Sequence, residues 1–119
     1  MDIAFSPSLP DKADTLVFAL AKDALDGLPL EAATTLAAGA KAARFSGEAG
    51  ASFESFAQEG GRVVRILFVG IGAGAPADME RAGAALVAKL IVSGATHVAV
   101  TLPAGTSGES AAHLALGAL

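Results

Sequence analysis

The chain has 119 residues, of which 53% are hydrophobic, so it is long and apolar enough to form one packed domain spanning residues 1–119. Twelve acidic residues against eight basic ones give a net charge of −4, and the lack of any basic run argues against a nucleic-acid surface. Cysteine is absent, which excludes disulfides, thiolate metal sites and a thiol nucleophile. No apolar run approaches the ~20 residues of a membrane span, and Met1-Asp2 opens no signal-peptide pattern, so we expect a cytoplasmic protein without membrane contact.

The first third of the chain predicts two strands and a helix. Residues 3–5 form a short strand-like segment, and the two prolines within residues 6–10 predict a loop. Residues 15–21 form a continuous apolar run, which predicts an interior strand covered on both faces. A helix is predicted to begin at Pro29, with Gly39 as a weak point or a close contact and with apolar residues at helical spacing: Leu30, Ala33, Leu36, Ala37 and Ala40.

The next segment is rich in turns. Residues 44–50 contain two glycines, and Arg44-Phe45 within them is either a contact point with another domain or a locally packed pair. Residues 52–56 alternate loosely and predict a short edge strand. Residues 59–61 then predict a turn that leads into the most apolar part of the chain.

Residues 62–102 form a βαβ pattern. Residues 63–69 predict a buried strand, residues 70–76 a glycine turn, residues 77–93 a helix that stops at Gly94, and residues 98–102 a second strand. A parallel βαβ crossover is nearly always right-handed, so the two strands should be parallel neighbours or be separated by one strand. The predicted apolar stripe of the helix consists of Met79, Ala82, Gly83, Leu86 and Leu90.

The end of the chain predicts a last helix over residues 109–119. Residues 107–110 have the composition of a helix cap, and Ala112, Leu116 and Leu119 share one apolar side, with Ala115 between them. This pattern ends without a cap or a polar tail. We therefore expect the chain to be a piece of a longer protein, with contacts in solution through the apolar side of this helix.

Gly70, Gly72 and Gly74 are the only candidates for a cofactor site. A glycine turn after a buried strand is typical of phosphate or dinucleotide binding. The third glycine of the G-x-G-x-x-G pattern is replaced by Ala75, a variant that the pattern tolerates. Asp78 and Glu80, however, are predicted in the first turn of the following helix, where they would oppose a phosphate, and the sequence favours a structural turn.

No catalytic or metal-binding residues emerge from the sequence. The two histidines, His97 and His113, have no metal-ligand partner at short spacing, and a structural role is favoured for both. Ser107 and Ser110 have no neighbouring base that would activate a nucleophile. The carboxylates are interpreted as a solvated surface: Glu31, Glu48, Glu54, Glu59, Asp78, Glu80 and Glu109.

The order of these segments resembles the N-terminal domain of the leucyl (cytosol) aminopeptidases. The resemblance rests on Phe45-Ser46-Gly47-Glu48-Ala49-Gly50, on Phe68-Val69-Gly70-Ile71-Gly72, and on the helix with Arg81-Ala82-Gly83-Ala84-Ala85 and Lys89-Leu90. It continues through Val98-Ala99-Val100, Leu102-Pro103 and the tail that includes Gly117. It spans essentially the whole chain, and its specificity comes from the order and spacing of short apolar motifs.

The resemblance implies an α/β, macro-domain-like, three-layer fold with a mixed, mostly parallel sheet flanked by helices. It implies a non-catalytic domain of a metal-dependent leucyl aminopeptidase, a hydrolase that removes N-terminal amino acids from peptides. The catalytic domain, absent here, would carry two divalent metals, zinc or manganese. The partners of the present domain would be the catalytic domain of the same chain and neighbouring subunits. Family members are commonly hexamers, in which this domain joins trimers or shapes access to the active site. Some bacterial members bind DNA, which the acidic balance does not support.

The alternative is a free-standing macro-like module that binds ADP-ribose or another nucleotide through Gly70, Gly72 and Gly74.

Overall fold

The computed structural model describes residues 2–5, 13–25, 28–103 and 106–117 of the chain. The predicted loop over residues 6–10, the connection over residues 104–105 and Leu119 lie outside this part. The described elements in chain order are β1 (Asp2–Phe5), β2 (Thr15–Ala21), α1 (Ala33–Ala42), β3 (Ser52–Glu59), β4 (Arg62–Gly72), α2 (Pro76–Ile91), β5 (His97–Thr101) and α3 (Gly108–Gly117).

The strands form one sheet in the order β1-β5-β2-β4-β3. β3 is antiparallel to β4, and the other neighbours are parallel. β2 lies at the centre, which confirms the predicted interior strand. β4 and β5 are separated by β2, so the second of the two predicted βαβ arrangements is confirmed. The α/β prediction with a mixed, mostly parallel sheet is also confirmed.

A hydrophobic core lies on each face of the sheet because side chains alternate along each strand. On one face, Leu67 and Val69 of β4 pack with Leu86 of α2 and Leu114 of α3. On the other face, Ile66 and Phe68 pack with the buried residues of α1. The aromatic rings gather on this second face, where Phe18, Phe45 and Phe53 each lie within 6.2 Å of Phe68, measured between ring centroids.

The boundaries of the βαβ unit differ from the prediction at the glycines. β4 continues through Gly70 and ends at Gly72, so two of the three glycines belong to the strand and the turn is shorter than predicted. The reason is that backbone hydrogen bonds of Gly70 and Gly72 to a neighbouring loop extend the strand. The buried residues of α2 match the predicted stripe, and Gly94, at which the helix was predicted to stop, has a left-handed φ of 76°.

The structure also corrects the start of the first helix. α1 begins at Ala33 rather than at Pro29. The N–H groups of Glu31 and Ala32 donate to the carboxylate of Glu59, which holds the preceding residues in a turn outside the helix. Gly39 faces Phe53, but a Cβ there would lie 3.4 Å from Cζ of that ring, an ordinary contact that does not require glycine.

The predicted apolar side of the last helix is open, as expected: Ala112 and Leu116 are exposed, whereas Leu114, which the prediction did not name, is buried. Contacts in solution through the open side stay a prediction. α3 approaches α2 so closely at Gly117 that a Cβ there would overlap the carbonyl oxygen of Glu80. The side with Leu114 faces the core, and the predicted stripe faces outward. No helix in the described ranges is long and apolar enough to cross a membrane.

Candidate functional site

Ligands of open α/β sheets bind outside the carboxyl ends of the parallel strands. In this chain that edge is formed by the ends of β2, β4 and β5, at Ala21, Gly72 and Thr101. Gly70, Gly72 and Gly74, the predicted cofactor candidates, all lie at this edge. It is therefore the place where a nucleotide or phosphate site would have to form.

A loop over residues 43–51, here named the crossing loop, lies across this edge and is bound to it by backbone hydrogen bonds. Gly72 N–H donates to Gly47 O at 2.8 Å, and Gly70 N–H donates to Ala51 O at 2.8 Å. In return, Gly50 N–H donates to Gly70 O at 3.1 Å. The crossing loop thus extends the hydrogen-bonding pattern of the sheet beyond the ends of the strands.

These hydrogen bonds use the backbone N–H groups that a phosphate ligand would need as donors. The third glycine of the turn, Gly74, donates its N–H to Ile71 O at 2.9 Å, so all three candidate glycines have backbone partners. The next donor, Ala75 N–H, lies 3.3 Å from the Asp78 carboxylate. A glycine-rich phosphate loop binds through N–H groups that point at the ligand. In this structure the corresponding groups point at protein oxygens.

The crossing loop explains why glycine recurs in Phe45-x-Gly47-x-x-Gly50. Gly47 and Gly50 have φ angles of 89° and 83°, in the region where side chains are strained. A Cβ on Gly47 would overlap the carbonyl oxygen of Ala21, and one on Gly70 would overlap that of Glu48. Glycine at these places therefore serves close packing of one backbone against another.

Phe45 secures the crossing loop from the inside. Its side chain is 4% exposed, and its ring centroid lies 6.1 Å from that of Phe68. Arg44-Phe45 was interpreted either as a contact point with another domain or as a locally packed pair. For Phe45, local packing is correct. Arg44 is exposed and has a φ of 63°, which helps to turn the chain from α1 into the loop.

The predicted acidic turn is only partly correct. Asp78 lies in the first turn of α2, but Glu80 lies beyond it, because the helix begins at Pro76. Glu80 Oε2 is instead 3.1 Å from His113 Nδ1 on α3, and this pair links the two helices at the surface. His97 is exposed at the start of β5. Among the described residues, no three histidine or carboxylate side chains lie close enough together to hold a metal ion.

The most strongly bonded carboxylate, Asp14, lies at the opposite edge of the sheet. Its Oδ2 accepts hydrogen bonds from Thr96 N–H and His97 N–H, both at 3.0 Å, and from the Thr96 hydroxyl. Its Oδ1 accepts the buried Thr15 hydroxyl at 2.9 Å. Burial raises the pKa of Asp14, but the hydrogen bonds outweigh burial and lower this pKa to about 2.

The backbone of Asp14 completes this contact. Its N–H donates to His97 O at 2.9 Å, and its carbonyl accepts Arg65 N–H at 3.0 Å. One residue therefore joins the amino ends of β2, β4 and β5. Sequence reasoning missed it because its main partner, Thr96, is 82 residues away. The only local signal was a polar residue immediately before a buried strand.

Glu59 is a second structural carboxylate, and for this one the prediction is wrong. The sequence indicated a place on the solvated surface, yet Glu59 is 9% exposed. Its two oxygens accept Glu31 N–H at 2.9 Å and Ala32 N–H at 3.2 Å, just before α1 begins. A carboxylate at the amino end of a helix is favourable because it satisfies free N–H groups and the helix dipole. Both carboxylates are structural.

Comparisons with known proteins agree with this architecture. A search of curated proteins gave no match. Among solved structures, a mutant of tomato leucine aminopeptidase is similar in fold, with a TM-score of 0.66, 24% sequence identity and a match that covers 99% of this chain. The present chain spans only 27% of that protein. The family model described as the N-terminal domain of the cytosol aminopeptidase family matches residues 16–119, and the chain therefore belongs to that family as its N-terminal domain.

Proposed function

We propose that this chain is a non-catalytic domain of a metal-dependent leucyl aminopeptidase and that it contributes to subunit assembly and to active-site access. The observation that carries the proposal is the closed carboxyl edge of the sheet, where the N–H groups of Gly70, Gly72 and Gly74 bond to protein oxygens. An edge occupied in this way supports a structural role for the domain in which it lies. Family membership supplies the parent activity, removal of N-terminal amino acids from peptides.

In this proposal the chemistry belongs to a catalytic domain outside this chain. That domain would hold two divalent metals, zinc or manganese, and the present domain would contact it and neighbouring subunits of a cytoplasmic homo-oligomer. Exposed apolar side chains support an interaction role, because such groups are typical of contact surfaces: Phe56 and Val63 on neighbouring strands, and Ile91 and Val92 at the end of α2.

An activity assay tests the non-catalytic role directly. The purified chain is incubated with leucine-p-nitroanilide in the presence of Zn²⁺ or Mn²⁺, and release of p-nitroaniline is followed by absorbance. We expect no release above the rate with metal alone. Metal-dependent turnover that increases in proportion to protein concentration, and that persists after repeated purification, would overturn the proposal.

Isothermal titration calorimetry tests the alternative that the chain binds a nucleotide. We expect no heat of binding when ADP-ribose, NAD or ATP is titrated into the chain at up to millimolar concentration, because the donors of the glycine turn are engaged. A saturable heat signal with ADP-ribose would favour the macro-like module. Loss of that signal in Gly74→Ala, beside an unchanged signal in Gly108→Ala, would assign the binding to the turn.

A further inference from the structure

β3 is an edge strand whose sequence and pairing lack several of the usual protections. In the described part of the chain it pairs only with β4, so its outer backbone edge has no strand beside it. Natural edge strands are blunted by proline, by bulges, by unpaired charges or by a covering element. β3 has eight residues without proline, and its pairing with β4 continues without a register shift.

The charged residues of β3 do not protect this edge either. Glu54 Oε2 lies 3.0 Å from Arg65 Nη1 on β4, so its charge is paired within the sheet. Glu59, the other carboxylate of the strand, is buried at the amino end of α1. The strand therefore presents a regular backbone without an unpaired charge, which is a template for another strand.

An apolar surface adjoins the same edge. Phe56 is 58% exposed and lies opposite Arg65 in the ladder, and Val63 on the neighbouring strand is 65% exposed. The Arg65 guanidinium stacks on the Phe56 ring at 4.9 Å, and its Nη2 donates to Ser93 O at 2.6 Å. We name Phe56 and Val63, which flank Arg65 on one face of the sheet, the β3 patch.

We infer that two copies of this chain pair through β3, antiparallel and about a two-fold axis, to form one continuous sheet. The inference rests on the assembly role proposed above and identifies the surface that performs it. A two-fold contact suits this edge because the same backbone groups face each other from both copies, and two-fold dimers are the commonest oligomers. The second copy therefore supplies a strand of matching length and composition.

The side chains select one register, in which Phe56 lies opposite Phe56 of the second copy. Directly opposed residues share a face of the sheet, so this register stacks two aromatic rings and places Glu54 opposite the neutral Gln58. Centring the pair on Glu54 would oppose two carboxylates, which is destabilising. Centring it on Ser55 or Ala57 would place Phe56 opposite a polar side chain.

The size of the contact is consistent with a reversible dimer. In the proposed pairing only Phe56 of the β3 patch meets the second copy directly, because Val63 lies one strand further in. The contact therefore consists mainly of the backbone and side chains of the eight-residue strand, and it lies near or below about 600 Å² per copy, the lower limit of specific interfaces. We expect weak, reversible association rather than a permanent dimer.

Sedimentation and disulfide trapping test the interface on the same preparation. We expect the wild-type chain to sediment with a mass twice 11.6 kDa at ~100 µM and to dissociate on dilution. Phe56→Lys should weaken the dimer at least about tenfold while far-UV circular dichroism stays unchanged. The matched control is Leu116→Lys, which changes an equally exposed apolar residue on α3 and should leave the dimer intact.

Disulfide trapping then tests the register of the two strands. The chain has no cysteine of its own, so any intermolecular disulfide must form through the cysteine that is introduced. Phe56→Cys should form an intermolecular disulfide rapidly, since opposed residues on antiparallel strands lie within disulfide range. Ser55→Cys and Leu116→Cys should form it much more slowly. A wild-type monomer at ~100 µM, a dimer that survives Phe56→Lys, or trapping at position 56 no faster than at position 116 would each overturn the inference. Turnover in the peptidase assay would instead overturn the non-catalytic role, whatever the sedimentation result.

Discussion

The hydrogen bonds of Asp14 make the stability of this domain depend on one carboxylate in a defined pH range. The pKa of the group is about 2 in the folded chain, against its ordinary value of 3.8. A group with a lowered folded-state pKa stabilises the fold above its unfolded pKa and loses this contribution as the pH falls. The stabilisation is therefore complete above about pH 5, and about half of it is lost by pH 3.

The magnitude follows from the same difference in pKa. Lowering the pKa from 3.8 to about 2 corresponds to at most about 2.5 kcal/mol at neutral pH. Solvent screening at this partly exposed carboxylate reduces the figure to about 1 kcal/mol. Asp14→Asn keeps the shape of the side chain and removes its charge. We expect the free energy of unfolding of this variant to be about 1 kcal/mol below that of the wild type at pH 7 and about 0.5 kcal/mol below it at pH 3.

Urea unfolding followed by circular dichroism at pH 7 and at pH 3 measures both differences. The matched control is Glu48→Gln, which removes the same charge from an exposed residue of the crossing loop and should change stability little at either pH. Comparison of each variant with the wild type at the same pH removes the contribution of the other carboxylates. A stability difference for Asp14→Asn that is absent at pH 7, or that is the same at both pH values, would contradict the assigned role of this carboxylate.

Three further substitutions test the contacts that shape the domain. Gly70→Ala should cost more than about 3 kcal/mol or prevent folding, because its Cβ would overlap a carbonyl oxygen of the crossing loop, whereas Gly108→Ala, with open space around its Cβ, should be nearly neutral in thermal melts. Gly117→Ala should loosen α3 and lower stability by about 1–3 kcal/mol; an unchanged melting temperature would show that the close approach to α2 is unnecessary. Glu59→Gln should lower stability by about 1 kcal/mol and speed amide hydrogen exchange in the first turn of α1, and unchanged exchange there would count against its capping role.

The sequence determined the elements whose signal is local. The apolar run at residues 15–21 specified a strand buried on both faces, and it became the centre of the sheet. The helical spacing from Met79 to Leu90 specified the buried side of α2 because one face of that helix packs into a single core with the sheet and α3. The order of the short apolar motifs was also sufficient to indicate the family.

Contacts between distant residues could not be derived in this way. Glu59 looked like a surface residue, and only the position of β3 beside α1 reveals that it caps a helix 27 residues earlier in the chain. The buried residue of α3, Leu114, could not be named from the sequence because alanine and leucine occur on several sides of that helix, so hydrophobic spacing did not distinguish them. The packing of α3 against the core beside α2 determines which side is buried.

The candidate site shows the same division. The sequence placed three glycines after a buried strand, where they are equally suited to bind a phosphate or to permit close backbone packing. What the glycine N–H groups contact depends on the crossing loop, which lies some 20 residues earlier in the chain and reaches them only when β3 pairs with β4. Local patterns thus determined the strands, most of the helices and the position of the glycines. The tertiary structure alone decided which oxygens those glycines face, because hydrogen-bond partners far apart in sequence are chosen by the packing of the whole sheet.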